Sequence, residues 1–205
     1  MGSSTILDII GASVLGGILM IMLFRVHGAN TDNVFEYNAE LVVQSNLVAA
    51  VEVLEYDFRK IGYCKNWDSI PNPGVAFLEA EENRISFRSD YDNDGDIDII
   101  TYYLGPTSEL SGTPNPRDRK LYRQINSETP GDVAIGLTQF DLKYYSSLGD
   151  ELSAPVANFG LINTIQIDIT LENNFAIYDE MTDSSTYATA FWRQIRLASR
   201  NLSNR

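Results

Sequence analysis

The chain has 205 residues, 44% hydrophobic and 21% charged: enough for one ordinary domain with an appendage, too short for two full domains, and not the composition of a disordered chain. Twenty-eight acids against 15 bases leave a formal net charge of −13, and a body so acidic repels phosphate backbones, which excludes nucleic acid as a partner. One cysteine, Cys64, and one histidine, His27, exclude an internal disulfide, a Cys/His zinc site and a histidine-based catalytic triad.

From 9 to 24 every residue is apolar or small, IIGASVLGGILMIMLF, and the run reaches back to Ile6 if Asp8 is tolerated within it. A bilayer core takes about twenty helical residues, so this is a slightly short span. As a secretory signal it lacks a basic leader, because positions 1–7 hold neither Lys nor Arg, and 27–29 is a poor cleavage site. As a plain anchor it gains little orientation from Arg25, its only flanking base. A third reading rests on features an anchor does not need. Gly11, Gly16 and Gly17 each weaken an isolated helix by about 1 kcal/mol, yet let helices pack closely in a membrane. Asp8 at the head is expensive in hydrocarbon unless paired. Both features suit a helix that packs against copies of itself. Asp8 also has a local reading: Thr5-Ile6-Leu7-Asp8 fits a capping box, with Thr5 as N-cap and Asp8 at N3. The two roles are not exclusive.

After a polar stretch at 28–33, Val34, Tyr37, Leu41, Val48, Val51, Leu54, Phe58 and Ile61 recur at helical spacing, and Gly62 follows as a stop signal. The simplest expectation is one rod over 5–61, with an apolar half at 5–24 and an amphipathic half at 34–61, loosened at most near the glycines or at 28–33. At 1.5 Å per residue it is roughly 85 Å long. A globular domain of the remaining size cannot bury its whole length, so the first half is expected to be buried in membrane or in neighbouring subunits.

From Cys64 the texture becomes strands and turns. Strands are expected at 84–88 and 97–104, flanking a hairpin, then at 120–125, 138–145, 164–171 and 190–197. The stretches 105–118 and 172–186 read as loops. No helical pattern separates the later strands, so the sheet is expected to be mainly antiparallel. Within the hairpin, Asp90-Tyr91-Asp92-Asn93-Asp94-Gly95-Asp96-Ile97-Asp98 places five acids in nine residues. It matches the opening of a calcium loop, with carboxylates at alternate positions Asp90, Asp92, Asp94, Asp96 and Asp98 and glycine at the sixth. Thr101 stands where such a loop has its bidentate glutamate, and Asp94-Gly95 is equally a strong turn dipeptide. Calcium and a solvated turn both remain open. Cys64 reads as a small buried filler, and His27 as an interfacial residue.

The expectation is an α+β protein: a long N-terminal α-helix at 1–62, giving a ladle or lollipop outline, and a mainly antiparallel β-rich body at 63–205. With these elements in order, the chain resembles the type IV pilin and pseudopilin superfamily, most of all the J-type pseudopilins and W-type minor pilins. Residues 4–19, STILDIIGASVLGGIL, are similar to that family's FTLIELLVAIAILGIL, with Asp8 on its glutamate. Residues 56–63 (YDFRKIGY) resemble the segment that ends the family's helix, 89–104 its acidic-turn hairpin, 137–152 (LTQFDLKYYSSLGDEL) one of its strands, and 196–202 (RLASRNL) its closing motif.

The resemblance implies a non-catalytic structural subunit of a type IV pilus-like or pseudopilus filament. It implies copies of itself or related pilins as partners, and assembly machinery at the inner membrane. The subunit would span the inner membrane once before assembly and reside afterwards in a cell-surface or periplasmic filament. In that family the acid at the helix head neutralises a neighbouring subunit's N-terminal amine, a role the resemblance gives to Asp8. It also implies leader processing around Gly2, Ser3 and Ser4: a cut after Ser3 makes Asp8 the fifth mature residue, and a cut after Gly2 the sixth. Ser4 replaces the family's phenylalanine, and an uncleaved chain that keeps Met1 is the other reading. The alternative function is a membrane-anchored extracytoplasmic binding module, with calcium dependence left open.

Overall fold

The computed structural model describes residues 2–179, 183–197 and 201. One helix, α1 (Gly2–Arg59), runs without a break through the polar stretch at 28–33. No proline interrupts it, and Thr31 turns its hydroxyl back onto the His27 carbonyl at 2.9 Å, as Ser13 does onto that of Ile9. The side chains thus satisfy themselves on the helix's own backbone. Helical backbone begins at Gly2, so Thr5 lies inside the first turns and is not the N-cap; nothing in Gly2, Ser3 or Ser4 forbids helix, and the capping-box reading of Thr5 fails. At the other end the helix stops at Arg59. Gly62 takes φ +73°, a conformation that costs a residue with a Cβ, and its N–H bonds the Arg88 carbonyl at 2.9 Å.

The chain divides into two compact units, Met1–Ala39 and Glu40–Arg205. The boundary falls inside the helix, not at the 62/63 junction expected from sequence, because residues from Val43 onward belong to the core of the second unit. In the first unit the helix is long and apolar enough to cross a membrane. Among its described side chains, all the large apolar residues from Ile6 to Val26 are exposed.

The second unit carries an antiparallel sheet: β1 (Phe77–Ala80), β2 (Arg84–Ser89), β3 (Asp98–Leu104), β4 (Arg119–Ile125), β5 (Gly131–Tyr145), β6 (Glu151–Leu152), β7 (Thr164–Asp179) and β8 (Ser184–Leu197). The order is β1-β2-β3-β4-β5-β7-β8, with β6 paired to β5. The expected strands are present, as is the β2–β3 hairpin, which pairs Arg84 with Tyr103 through to Ser89 with Asp98. The stretch 172–186, expected as a loop, is largely strand. β7 runs on to Asp179 and β8 begins at Ser184, with a register shift between Glu172 and Ala176. The polar run Glu172-Asn173-Asn174 hides the continuation by absorbing that irregularity. β1 is a further strand not anticipated. At Gly136 (φ +88°) the β5 backbone passes so close to β7 that an added Cβ would stand 2.9 Å from the Glu172 carbonyl oxygen.

In β7, Ile165, Ile167, Ile169 and Leu171 alternate onto the core face, and Phe140, Leu142 and Tyr144 do so in β5. They join Val43, Leu47, Ala50, Leu54 and Phe58 of α1, and Ile61 of the turn that follows it, in one cluster. This is not the stripe expected from sequence. Leu54, Phe58 and Ile61 are buried, but Val34, Tyr37, Leu41 and Val48 are exposed. At 100° per residue the two sets lie about 120° apart around the helix. A run of threes, fours and sevens had joined two separate apolar stripes, of which the sheet covers one. Burying each large member of the covered stripe contributes about 1.5–3 kcal/mol.

Candidate functional site

The first candidate is the surface of α1. Ile6, Leu7, Ile9, Ile10, Val14, Leu15 and the continuous run from Ile18 to Phe24 are each between 45% and 69% exposed. A Cβ added at Gly11, Gly16 or Gly17 meets no atom within 4 Å, so these glycines leave open notches in the helix surface. Asp8 is exposed and makes no ion pair among the described residues. The side chains of Ser3, Ser4 and Thr5 lie outside the described residues, as does Met1. Apolar exposure continues down the helix through Val34, Phe35, Tyr37, Leu41, Val42, Val48, Val53 and Tyr56.

The second is a buried polar network at the end of α1. Asp57 has no exposed surface. Its carboxylate accepts the Tyr102 hydroxyl at 2.5 Å and the Arg123 guanidinium twice, from Nε at 2.6 Å and Nη2 at 3.1 Å. Burial, reinforced by the Asp57 charge, pushes the Tyr102 hydroxyl well above the usual tyrosine range, so it stays a donor. Phe58 packs its ring against Phe87 and Tyr102 at 5.6 and 5.7 Å. The segment 56–63, singled out only by resemblance, is therefore the joint between helix and sheet. The role of Asp57 was missed, although a signal existed: it is the one charged residue on the Val43–Ile61 stripe.

The third is the acidic turn between β2 and β3. Three of its five acids converge: one carboxylate oxygen from each of Asp90, Asp92 and Asp98 lies within 4.8 Å of the others. Asp94 and Asp96 are exposed and not part of this group; Asp94 Oδ1 instead accepts the Asp96 N–H at 2.8 Å. Asp90 is fully buried and folded under the turn, with Oδ2 accepting the N–H groups of Lys65 (3.1 Å) and Gly95 (3.2 Å). Asp98 Oδ2 accepts from the Tyr91 N–H at 2.9 Å and Oδ1 from Asn126 at 2.7 Å. Cys64 is buried, as expected, its thiol 3.5 Å from the Gly95 carbonyl.

Protein-family models, curated proteins and solved structures give no match to this chain. Its sites are therefore read from their own chemistry.

A fourth feature was not visible in the sequence. Asp118, in the loop before β4, is 1% exposed, and neither carboxylate oxygen has a hydrogen-bond partner among the described residues. The Thr113 hydroxyl beside it is donated to the Leu110 carbonyl at 2.8 Å. Burial raises the Asp118 carboxyl above its ordinary pKa. The closing segment 196–202 lies mostly outside the described residues.

Proposed function

We propose that this chain is a structural, non-catalytic subunit of a type IV pilus-like or pseudopilus filament, held in a membrane by α1 before assembly and packed through α1 against copies of itself or related subunits afterwards. The observation that carries the reading is the uncovered apolar surface of the helix. Fourteen large apolar side chains between Ile6 and Val26 are exposed, and at about 1.5–3 kcal/mol each their burial represents roughly 20–40 kcal/mol. A stem of that kind does not stay in water.

A bilayer alone accounts for part of this surface. About twenty residues suffice to span it, yet exposed apolar side chains continue from Val34 to Tyr56, beyond what a simple anchor requires. A staggered bundle of identical stems covers both stretches. The open notches at Gly11, Gly16 and Gly17 favour close helix approach, and contacts between unlike faces that do not close on themselves build an open fibre. Asp8 then serves as the acid at the helix head that pairs with a neighbour's N-terminal amine, as in the family the sequence resembles.

Electron microscopy of fibres sheared from cells, with mass measurement of the fibre protein, tests the proposal. Ordered fibres composed of this chain are the expected result. Recovery solely as a detergent-soluble monomer would overturn it in favour of the membrane-anchored binding module.

A further inference from the structure

We propose that the turn between β2 and β3 is a calcium site, with Asp90, Asp92 and Asp98 as its carboxylate ligands and water completing the shell. This rests on neither the filament nor the anchor reading. A group of acids alone would be only a solvated turn; the state of Asp90 sets this one apart. Asp90 has no exposed surface and its Oδ1 has no hydrogen-bond partner among the described residues, while Oδ2 is held under the turn by the Gly95 and Lys65 N–H groups. A buried carboxylate oxygen with no partner costs at least as much as any lost buried hydrogen bond, and more if charged. No donor among the described residues offsets that cost.

Nor is the charge answered by a base. Lys60 and Lys65 are close at hand, but their ammonium groups bond the carbonyls of Tyr91 (2.9 Å) and Asn93 (3.2 Å). Among the described residues no ion pair reaches any of Asp90, Asp92, Asp94, Asp96 or Asp98. A cation supplied from solution answers both the orphaned oxygen and the excess charge.

The donor set calls for a hard cation. Three hard carboxylate oxygens within 4.8 Å of one another fit inside the shell of calcium, which takes oxygen ligands at about 2.3–2.6 Å in flexible geometry. Magnesium demands a tighter octahedron at about 2.1 Å. Zinc sites are built mainly on Cys and His ligands, and the nearby Cys64 sulfur is turned to the Gly95 carbonyl. The consequence is mechanical. The Asp90 N–H bonds the Tyr63 carbonyl at 2.8 Å and its side chain holds the Lys65 N–H, so an ion in the turn fastens the segment leaving the helix to the β2–β3 hairpin.

The test is calorimetric titration of the full-length chain in detergent, stripped with chelator, with calcium chloride and separately with magnesium chloride, alongside thermal unfolding with and without calcium. The wild type should bind one calcium with a Kd of about 10⁻⁴–10⁻³ M, as extracellular calcium modules do, should melt several degrees higher with the ion, and should bind magnesium at least about tenfold more weakly. D92N alters an exposed residue and keeps the oxygen that accepts the Asp94 N–H. It should melt like the calcium-free wild type yet bind calcium at least about tenfold more weakly. D90N, at the buried ligand, should abolish binding. Absence of saturable binding up to about 10 mM calcium, well above the affinity range of such modules, would overturn the proposal. So would equal affinity of D92N and wild type, or equal binding of the two metals.

Discussion

Replacing Asp57 by alanine tests whether one buried ion pair secures the helix end on the sheet. The substitution removes three bonds at once, from Tyr102 and twice from Arg123. It strands a guanidinium whose side chain is only 17% exposed. Breaking a buried pair by deleting one partner costs about 3–5 kcal/mol. Two smaller effects oppose it. Asp57 stands in the last turn of α1, where the helix dipole disfavours an acid by about 0.3–1 kcal/mol, and alanine is the better helix former by about 0.5 kcal/mol. The net expectation is about 2–4 kcal/mol of destabilisation, read from urea unfolding of the full chain in detergent by the fluorescence of Trp67 and Trp192. Because each single change strands the other charge, D57A and R123M should not add; together they should cost at least about 1 kcal/mol less than their sum. A loss below about 1 kcal/mol for D57A, or strict additivity of the pair, would refute the assignment, since an exposed ion pair behaves in that way.

Further substitutions probe other features. G136A forces a side chain into a left-handed conformation and against the Glu172 carbonyl, 2.9 Å away; it should cost about 2–3 kcal/mol in the same unfolding assay, whereas G112A, whose Cβ meets nothing, should fall within about 0.5 kcal/mol. Asp118 has its carboxyl raised by burial from an ordinary value of 3.8, so the native state holds its proton more tightly than the unfolded chain. Its contribution to stability is thus fully present below that ordinary value and is lost as pH rises through the raised native one. D118N should be more stable than wild type at neutral pH, with the difference vanishing towards pH 3; an unchanged difference across that window would refute the burial argument. D8A should leave the chain in the membrane fraction while abolishing fibres, checked by fractionation and electron microscopy; normal fibres from D8A would remove the pairing role.

The β-body was legible where one face of a strand is buried and the other is not. TIQIDITL at 164–171 alternates because Ile165, Ile167, Ile169 and Leu171 all point into the core, and that period of two is visible in the letters. The continuation of β7 was illegible because Glu172, Asn173 and Asn174 sit at a register shift where the alternation breaks. The loop-like composition there belongs to a bulge within a long hairpin. The helix was legible in extent, its register only in part. Two apolar stripes about 120° apart both satisfy helical spacing, and a residue's letter does not say whether the sheet or something outside the chain covers it.

That ambiguity explains why the site residues were unequally visible. Asp90, Asp92 and Asp98 announce themselves because acids at alternate positions around a glycine are a pattern, whereas which three converge depends on the fold of the turn. Asp57 and Asp118 carry no motif. Their significance comes from partners that lie 45 and 66 residues away in the first case, and from the lack of any hydrogen-bond partner among the described residues in the second. Asp57 could still have been found by asking what an acid does on a stripe that runs Val43, Leu47, Ala50, Leu54, Phe58, Ile61. A charge kept at such a position costs several kcal/mol unless it is matched, so it implies a buried base on whatever covers the stripe. The structure supplies that base as Arg123 of β4. Asp8 is exposed and has no base paired to it among the described residues; only if the proposed filament buries the stem does the same rule apply to it, and its partner then lies on a neighbouring subunit. One electrostatic requirement thus holds Asp57 to Arg123 within the body and, in the proposed filament, assigns Asp8 a partner on a neighbouring subunit.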